Sequence, residues 1–417
     1  MQQLLADAPL WASIATLVAA AAAICFAGTR LAGVANVLAD RTGMGEVIAG
    51  ALFVGGATSL PGIITSVSTA WQGHAGLAIG NALGGLTVQT AFLAVADLFY
   101  RRANLEHAAA STVGLAQGTL LVVLLTLPLM AASGPDWTLL GMHPVTPILF
   151  AGYGAGLWLL AAIHEKPMWS PVMTSATQAE EVGGDAAREQ GGGEDPTAGP
   201  YRDSPTRRLW LLFLLHAGIT GAAGYAVGEA SIALVGRTGL SETAVGTVFT
   251  AVANSLPELV TAVAAVRVGA VGLAVGDVIG GNSFEVLFLA AADIAWRDGS
   301  LYARFDQDNV FTAATALLMT GVLLLGMLPA AAARGGRHRL RERHGAGAVR
   351  DRGGGRLLLT PARRRGGICP PPAPANPAAL TRSGIVAAFF DEASWPTGPL
   401  RTSPEGRCSC SPLRWSR

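Results

Sequence analysis

Cysteine is nearly missing from this chain: 417 residues hold four, Cys25, Cys369, Cys408 and Cys410. Three of them fall in the last fifty residues and none has zinc-ligand spacing, which argues against a disulfide framework and a structural zinc site. Charge is scarce as well. At 14% charged residues, the chain lies well below the roughly 25% of a soluble globular protein. Neither sign dominates, since 29 basic against 28 acidic residues leave a net charge of +1. That balance speaks against a nucleic-acid partner. Lysine occurs once, at Lys166. The richness in Ala, Gly and Arg is a mark of GC-rich coding and says little about function.

What is abundant is apolar sequence: 51% of residues, with a mean hydropathy of +0.43. A membrane span needs roughly 20 mostly apolar residues. Nine such stretches are read: 10–38, 46–71, 75–99, 108–132, 145–164, 208–235, 242–266, 270–295 and 308–333. The first has no basic residue before it, so it reads as a retained span and not a signal peptide. Basic residues mark the cytoplasmic side of short loops. With the N-terminus outside, nine of them (Arg41, Arg101, Arg102, Lys166, Arg188, Arg202, Arg207, Arg208, Arg267) lie inside and three (Arg237, Arg297, Arg304) outside. The expected location is the plasma membrane, with the middle loop and tail cytoplasmic.

The expected organisation is a first transmembrane repeat over 1–164, a flexible loop over 165–207, a second repeat over 208–333 and a tail over 334–417. The loop is rich in Gly, Pro and acid and has no calcium-ligand spacing. The tail holds 16 of the 28 arginines and the run Cys369-Pro370-Pro371-Pro372. It reads either as a disordered basic extension on anionic lipid or as the product of a shifted frame.

Residues 45–100 repeat as 241–296 at an offset of 196 without gaps, with 21 of 56 positions identical. Ser59-Leu60-Pro61 falls on Ser255-Leu256-Pro257, Gly84-Gly85 on Gly280-Gly281, and Asp97 on Asp293. Generic apolar similarity does not produce such matches, so the chain is a duplication. Five spans separate matching elements, and an odd number inverts the second copy. The expected fold is all-α: a polytopic membrane protein with two inverted-topology five-helix repeats, the tenth helix missing or replaced. Secondary transporters use this plan, with sites at the repeat interface near mid-membrane.

Each copy places a proline inside a span, at Pro61 and Pro257. Proline lacks an N–H, which frees the carbonyls of Ala57 and Ala253. Around the prolines stand Thr58, Ser59 and Thr65 in one copy, and Asn254, Ser255 and Thr261 in the other. Such oxygen groups beside unwound carbonyls suit a hard cation. Glu258 follows Pro257 inside a span, and an ionisable group there is a functional candidate by default. Asn254 and Ser255 lie four and three residues before it, so all three can share one face. Asp277 and Glu285, with Asn282, add candidates in the next span. Gly80/Gly84 and Gly276/Gly280 have the spacing of helix packing. His74, His107, His143, His164 and His216 read as structural or loop residues.

The segments G-A-T-S-L-P-G (56–62) and A-N-S-L-P-E-L (253–259), with G-N-A-L-G-G (80–85) and G-D-V-I-G-G-N-S-F-E (276–285), resemble the paired repeats of the calcium/cation antiporter superfamily. Its usual pattern is G-T-S-x-P-E followed by G-N-x-x-G-S-N-I-F-N. The resemblance implies that Glu258 ligates calcium. Ser59, Ser255, Thr58 and Asn254 would stand beside it, and Gln89 and Glu285 would form a polar pair, each 27 residues after position 62 or 258. Gly62 stands where the pattern has a second glutamate, Gly85 and Gly281 where it has small hydroxyl residues, and Leu86 where it has asparagine.

The expected function is therefore a secondary antiporter, not an enzyme. It would move calcium or another cation against sodium or protons, with Glu285 as second ligand or proton carrier. No cofactor is expected beyond the transported cations, and no partner beyond lipid and small cations. A glutamate placed at Gly62 is expected to point into the same cavity. One rival is a transport-inactive protein of the same fold, lacking the carboxylate at 62 and the last helix. The other, an intramembrane protease, needs a second catalytic aspartate to match Asp277, and the chain offers none in a comparable setting.

Overall fold

The computed structural model describes residues 9–42, 55–100, 104–168 and 199–328, all within one compact unit, Met1–Ala346. The tail over 334–417, most of the middle loop and the start of the second expected span lie outside the described residues.

Helices account for the described residues, and no strand forms among them. In order they are α1 (Leu10–Thr42), α2 (Gly55–Thr58), α3 (Leu60–Trp71), α4 (Ala75–Asp97), α5 (Leu105–Ala108), α6 (Thr112–Ser133), α7 (Val145–Glu165), α8 (Thr206–Thr238), α9 (Glu242–Asn254), α10 (Leu256–Val268), α11 (Val271–Ala295) and α12 (Gln307–Met327). Seven of them are long and apolar enough to cross a membrane, and α9 with α10 forms a bent pair at 48°. Helices are the expected result in lipid, where every backbone group must be satisfied internally. α4 and α11 lie at the centre: 67% and 78% of their apolar windows are buried, against 39% or less in the other five.

The two Ser-Leu-Pro segments are breaks between helices and not simple kinks. Ser59 (φ −79°, ψ −3°) ends α2 and starts α3, with Pro61 in the first turn. Ser255 (φ −95°, ψ 7°) does the same between α9 and α10. Proline is tolerated in a first turn because its missing N–H has no partner there. A π-helical stretch, Val245–Thr250, precedes the second break.

The offset of 196 is also a structural symmetry. Gly73 (φ 87°) and Gly269 (φ 90°) turn the chain after α3 and α10 in a left-handed conformation that glycine adopts without steric cost. Asp97 Oδ1 accepts from Leu105 N at 2.8 Å, and Asp293 Oδ1 from Leu301 N at 2.8 Å. The matched aspartates therefore fasten equivalent loops. Gly28 on α1 meets Pro257, where a Cβ would stand 2.6 Å from the ring's Cγ. Its counterpart Gly224 on α8 meets Pro61, where a Cβ would stand 2.7 Å from Cα and 2.8 Å from the carbonyl carbon. Each long helix thus packs on the break of the opposite repeat.

Overpacking typically costs about 1–3 kcal/mol. Gly224→Val strikes backbone, so it is expected to lose about 3 kcal/mol, read as a lowered melting point in detergent. An unchanged melting point would show that α8 can move off Pro61. Of the two Gly-x-x-x-Gly pairs, Gly80/Gly84 closes a helix contact. A Cβ there would stand 2.8 Å from Thr243 O and 2.6 Å from Thr247 Cα. Gly276 and Gly280 have no such close neighbour among the described residues.

Candidate functional site

Where α4 crosses α11, two residues at equivalent places in the repeats meet. Gln89 Nε2 donates to Glu285 Oε1 at 2.7 Å, and both side chains are buried. The glycines one turn earlier make room for them. A Cβ at Gly85 would collide with the Glu285 carboxyl group, 2.8 Å from its carbon; one at Gly281 would stand 3.3 Å from Gln89 Oε1. A long acid at 285 and a glycine at 85 are therefore one adjustment: the carboxylate fills the space a side chain at 85 would need.

The break between α9 and α10 joins the same centre through amides. Asn254 Nδ2 donates to Asn81 Oδ1 at 2.8 Å and to Thr65 Oγ1 at 3.2 Å. Asn81 Nδ2 donates to Ser66 Oγ at 2.8 Å and to Gly62 O at 3.0 Å. Thr65 Oγ1 donates to Gly224 O at 2.7 Å. One turn before Glu285, Asn282 Nδ2 donates to Thr90 Oγ1 at 3.0 Å.

After these bonds, seven enclosed oxygens have no hydrogen-bond partner: Ser59 Oγ, Gln89 Oε1, Asn254 Oδ1, Ser255 Oγ, Glu258 Oε2, Asn282 Oδ1 and Glu285 Oε2. A buried polar atom without a partner costs about 1–3 kcal/mol, so such a concentration calls for a chemical reason. All seven are hard oxygen donors, the ligand class of sodium and calcium. Among the described residues no group of three His, Cys, Asp or Glu side chains could hold a metal ion. Most of the seven enclosed oxygens belong to neutral side chains.

Seven of the nine expected site residues carry these oxygens. Two stand apart. Asp277 is exposed on α11 and stays outside the enclosed set. Thr58 Oγ1 donates back to Gly55 O at 3.0 Å. Glu258 is only partly buried as a residue, yet its Oε2 is fully enclosed. Two residues at the centre are additions, Asn81 and Ser66. Asn81 was visible in the sequence as the asparagine of G-N-A-L-G-G; only the fold shows that it holds Asn254.

Position 62 corrects an expectation. A Cβ at Gly62 would stand 2.6 Å from Phe288 Cε2, so a glutamate there meets a ring and not an open cavity. Phe288 is 1% exposed and stacks edge-on against Phe284, with ring centroids 6.2 Å apart. Gly62→Glu alone is expected to give a destabilised protein. Combined with Phe288→Ala it should recover a monodisperse gel-filtration peak. If the single variant is as stable as the parent, the ring moves aside freely.

The family model described as sodium/calcium exchanger protein matches residues 12–160 and 208–341. Inner membrane protein YrbG of Escherichia coli is 28% identical over 266 residues, 64% of this chain and 74% of that protein. Sodium/calcium exchanger MaX1 of Methanosarcina acetivorans is 40% identical over 81 residues, 19% of this chain and 23% of that protein. The crystal structure of the H+/Ca2+ exchanger CAX superposes with a TM-score of 0.51 over 75% of this chain and 80% of that one. At 14% identity this is a likeness of fold.

Proposed function

The chain belongs to the sodium/calcium exchanger protein family, and from that premise we propose that it exchanges calcium for sodium or protons by alternating access. One observation carries the choice of cargo: seven enclosed, unpartnered oxygens at the two helix breaks and the α4–α11 crossing. Glu258 is the main ligand and Glu285 the second, steadied by Gln89. Amide and hydroxyl oxygens complete a shell that a cation can enter and leave. The second carboxylate of the family pattern, absent at Gly62, has its counterpart in the acid at 285. A proton on Glu285 is an alternative cargo for the same group.

The test is isotope uptake into vesicles containing the purified protein. Calcium uptake driven by an outward sodium or proton gradient is expected. The transport-inactive reading has one observation in its favour, the Phe288 ring against Gly62. It predicts no uptake of any screened cation.

The proposed location is the plasma membrane, with the N-terminus outside. Arg297 over Trp71 (4.4 Å to the ring centroid) marks one face and Arg267 over Phe99 (4.9 Å) the other, as aromatic and basic residues do at membrane interfaces. In a cysteine-free background, a cysteine at Asp298 should react with an impermeant thiol reagent on intact cells and one at Asp203 should not. The reverse labelling would invert the topology.

A further inference from the structure

The central site leaves one buried carboxylate unused. Glu229 lies on α8, nine residues before its end at Thr238, or about 13 Å along the axis. It is 1% exposed, and its Oε2 has no hydrogen-bond partner. Gln72 Nε2, at the end of α3, donates to Glu229 Oε1 at 2.8 Å. A buried carboxylate with an unpartnered oxygen is expensive.

Its surroundings suggest the use. The α3 face that leads inward from Gln72 is polar: Thr69, Ser68 and Thr65. Gly228, beside Glu229, packs on Thr69 and Ser68, where a Cβ would stand 3.2 Å and 3.3 Å away. Thr65 Oγ1 is the acceptor for Asn254 of the central site. In the outward direction, the turn after Gln72 lines an open cavity of about 480 Å³, where Gly73 and Gly76 stand with Glu242, Asp298, Asp306 and one cation, Arg304. Glu242 lies 2.7 Å from His74 Nδ1 and accepts from Gly76 N at 3.0 Å. Through Gln72, Glu229 therefore adjoins both the α3 face that carries Thr65 and, at the neighbouring Gly73, the rim of the cavity.

We propose that Glu229, held by Gln72, is an outer binding station for a small cation on the route between that cavity and the central site. The proposal rests on the cation-exchange reading above, and its test separates the two.

The test measures equilibrium binding of radiolabelled calcium and sodium to the purified full chain in detergent. In the Glu258→Gln/Glu285→Gln background the central site is disabled, and one residual cation site at least tenfold weaker is expected. Adding Glu229→Gln should remove it. Adding Gln72→Leu, which leaves the carboxylate intact, should weaken it and keeps the test decisive if the Glu229 variant misfolds. Absence of residual binding in the double variant, or residual binding that survives Glu229→Gln, overturns the proposal.

In vesicles, Glu229→Gln should raise the half-saturating calcium concentration about tenfold from the Trp71 face alone. An equal rise from both faces would mean that Glu229 only fastens α3 to α8. If the parent chain moves no cation while residual binding behaves as expected, the exchange reading fails and the outer station stands.

Discussion

Glu258→Gln is expected to lower gradient-driven cation flux by about 100-fold, the effect of removing a charged contact worth about 3 kcal/mol, while the protein stays folded in detergent. Glu258 lies in the first turn of α10, immediately after the break at Ser255. The positive end of the helix dipole there favours a negative charge. Glutamine keeps the shape and removes the charge, so packing against the break survives. The measurement is vesicle uptake alongside thermal unfolding. Normal flux in a normally folded variant would remove Glu258 from the site.

Position 285 allows transport and stability to be separated. Glu285→Leu and Glu285→Gln should both reduce flux at least about tenfold, since both remove a charged ligand. Only leucine should also lower the melting point. It leaves the buried Gln89 amide without its 2.7 Å acceptor, which costs about 1–3 kcal/mol. Glutamine can still accept from Gln89 through its carbonyl oxygen. Equal melting points for the two variants would mean that the Gln89–Glu285 bond contributes nothing to folding. Full flux in both would show that the ion does not use this carboxylate.

Much of this site is legible in one dimension because its parts are local. A helix break needs only a proline that cannot donate and a residue before it that tolerates a non-helical turn, so Ser59 and Ser255 mark themselves. Glu258 and Asn254 share the second break, and their spacing of four predicts a shared face. Other members are not local. Asn81 acts by reaching Asn254, 173 residues away. Glu229 is visible as an acid in an apolar stretch, the same signal that marks Glu258, but its meaning depends on Gln72 at a distance of 157 residues.

The sequence by itself determined the duplication, the inversion, the two broken segments and the oxygen chemistry of their flanks, because each follows from residue type, spacing or the parity of the spans. The tertiary structure decided which equivalent residues face one another. Asp277 and Asn81 occupy the same place in their repeats, yet Asn81 is enclosed and Asp277 is exposed. Gly62 and Glu258 also correspond, yet a phenyl ring closes the space beside Gly62. Helix periodicity sets which residues share a face. How α1 and α8 seat on the opposite breaks comes from the close fits of Gly28 on Pro257 and Gly224 on Pro61, contacts between distant segments that no local pattern encodes.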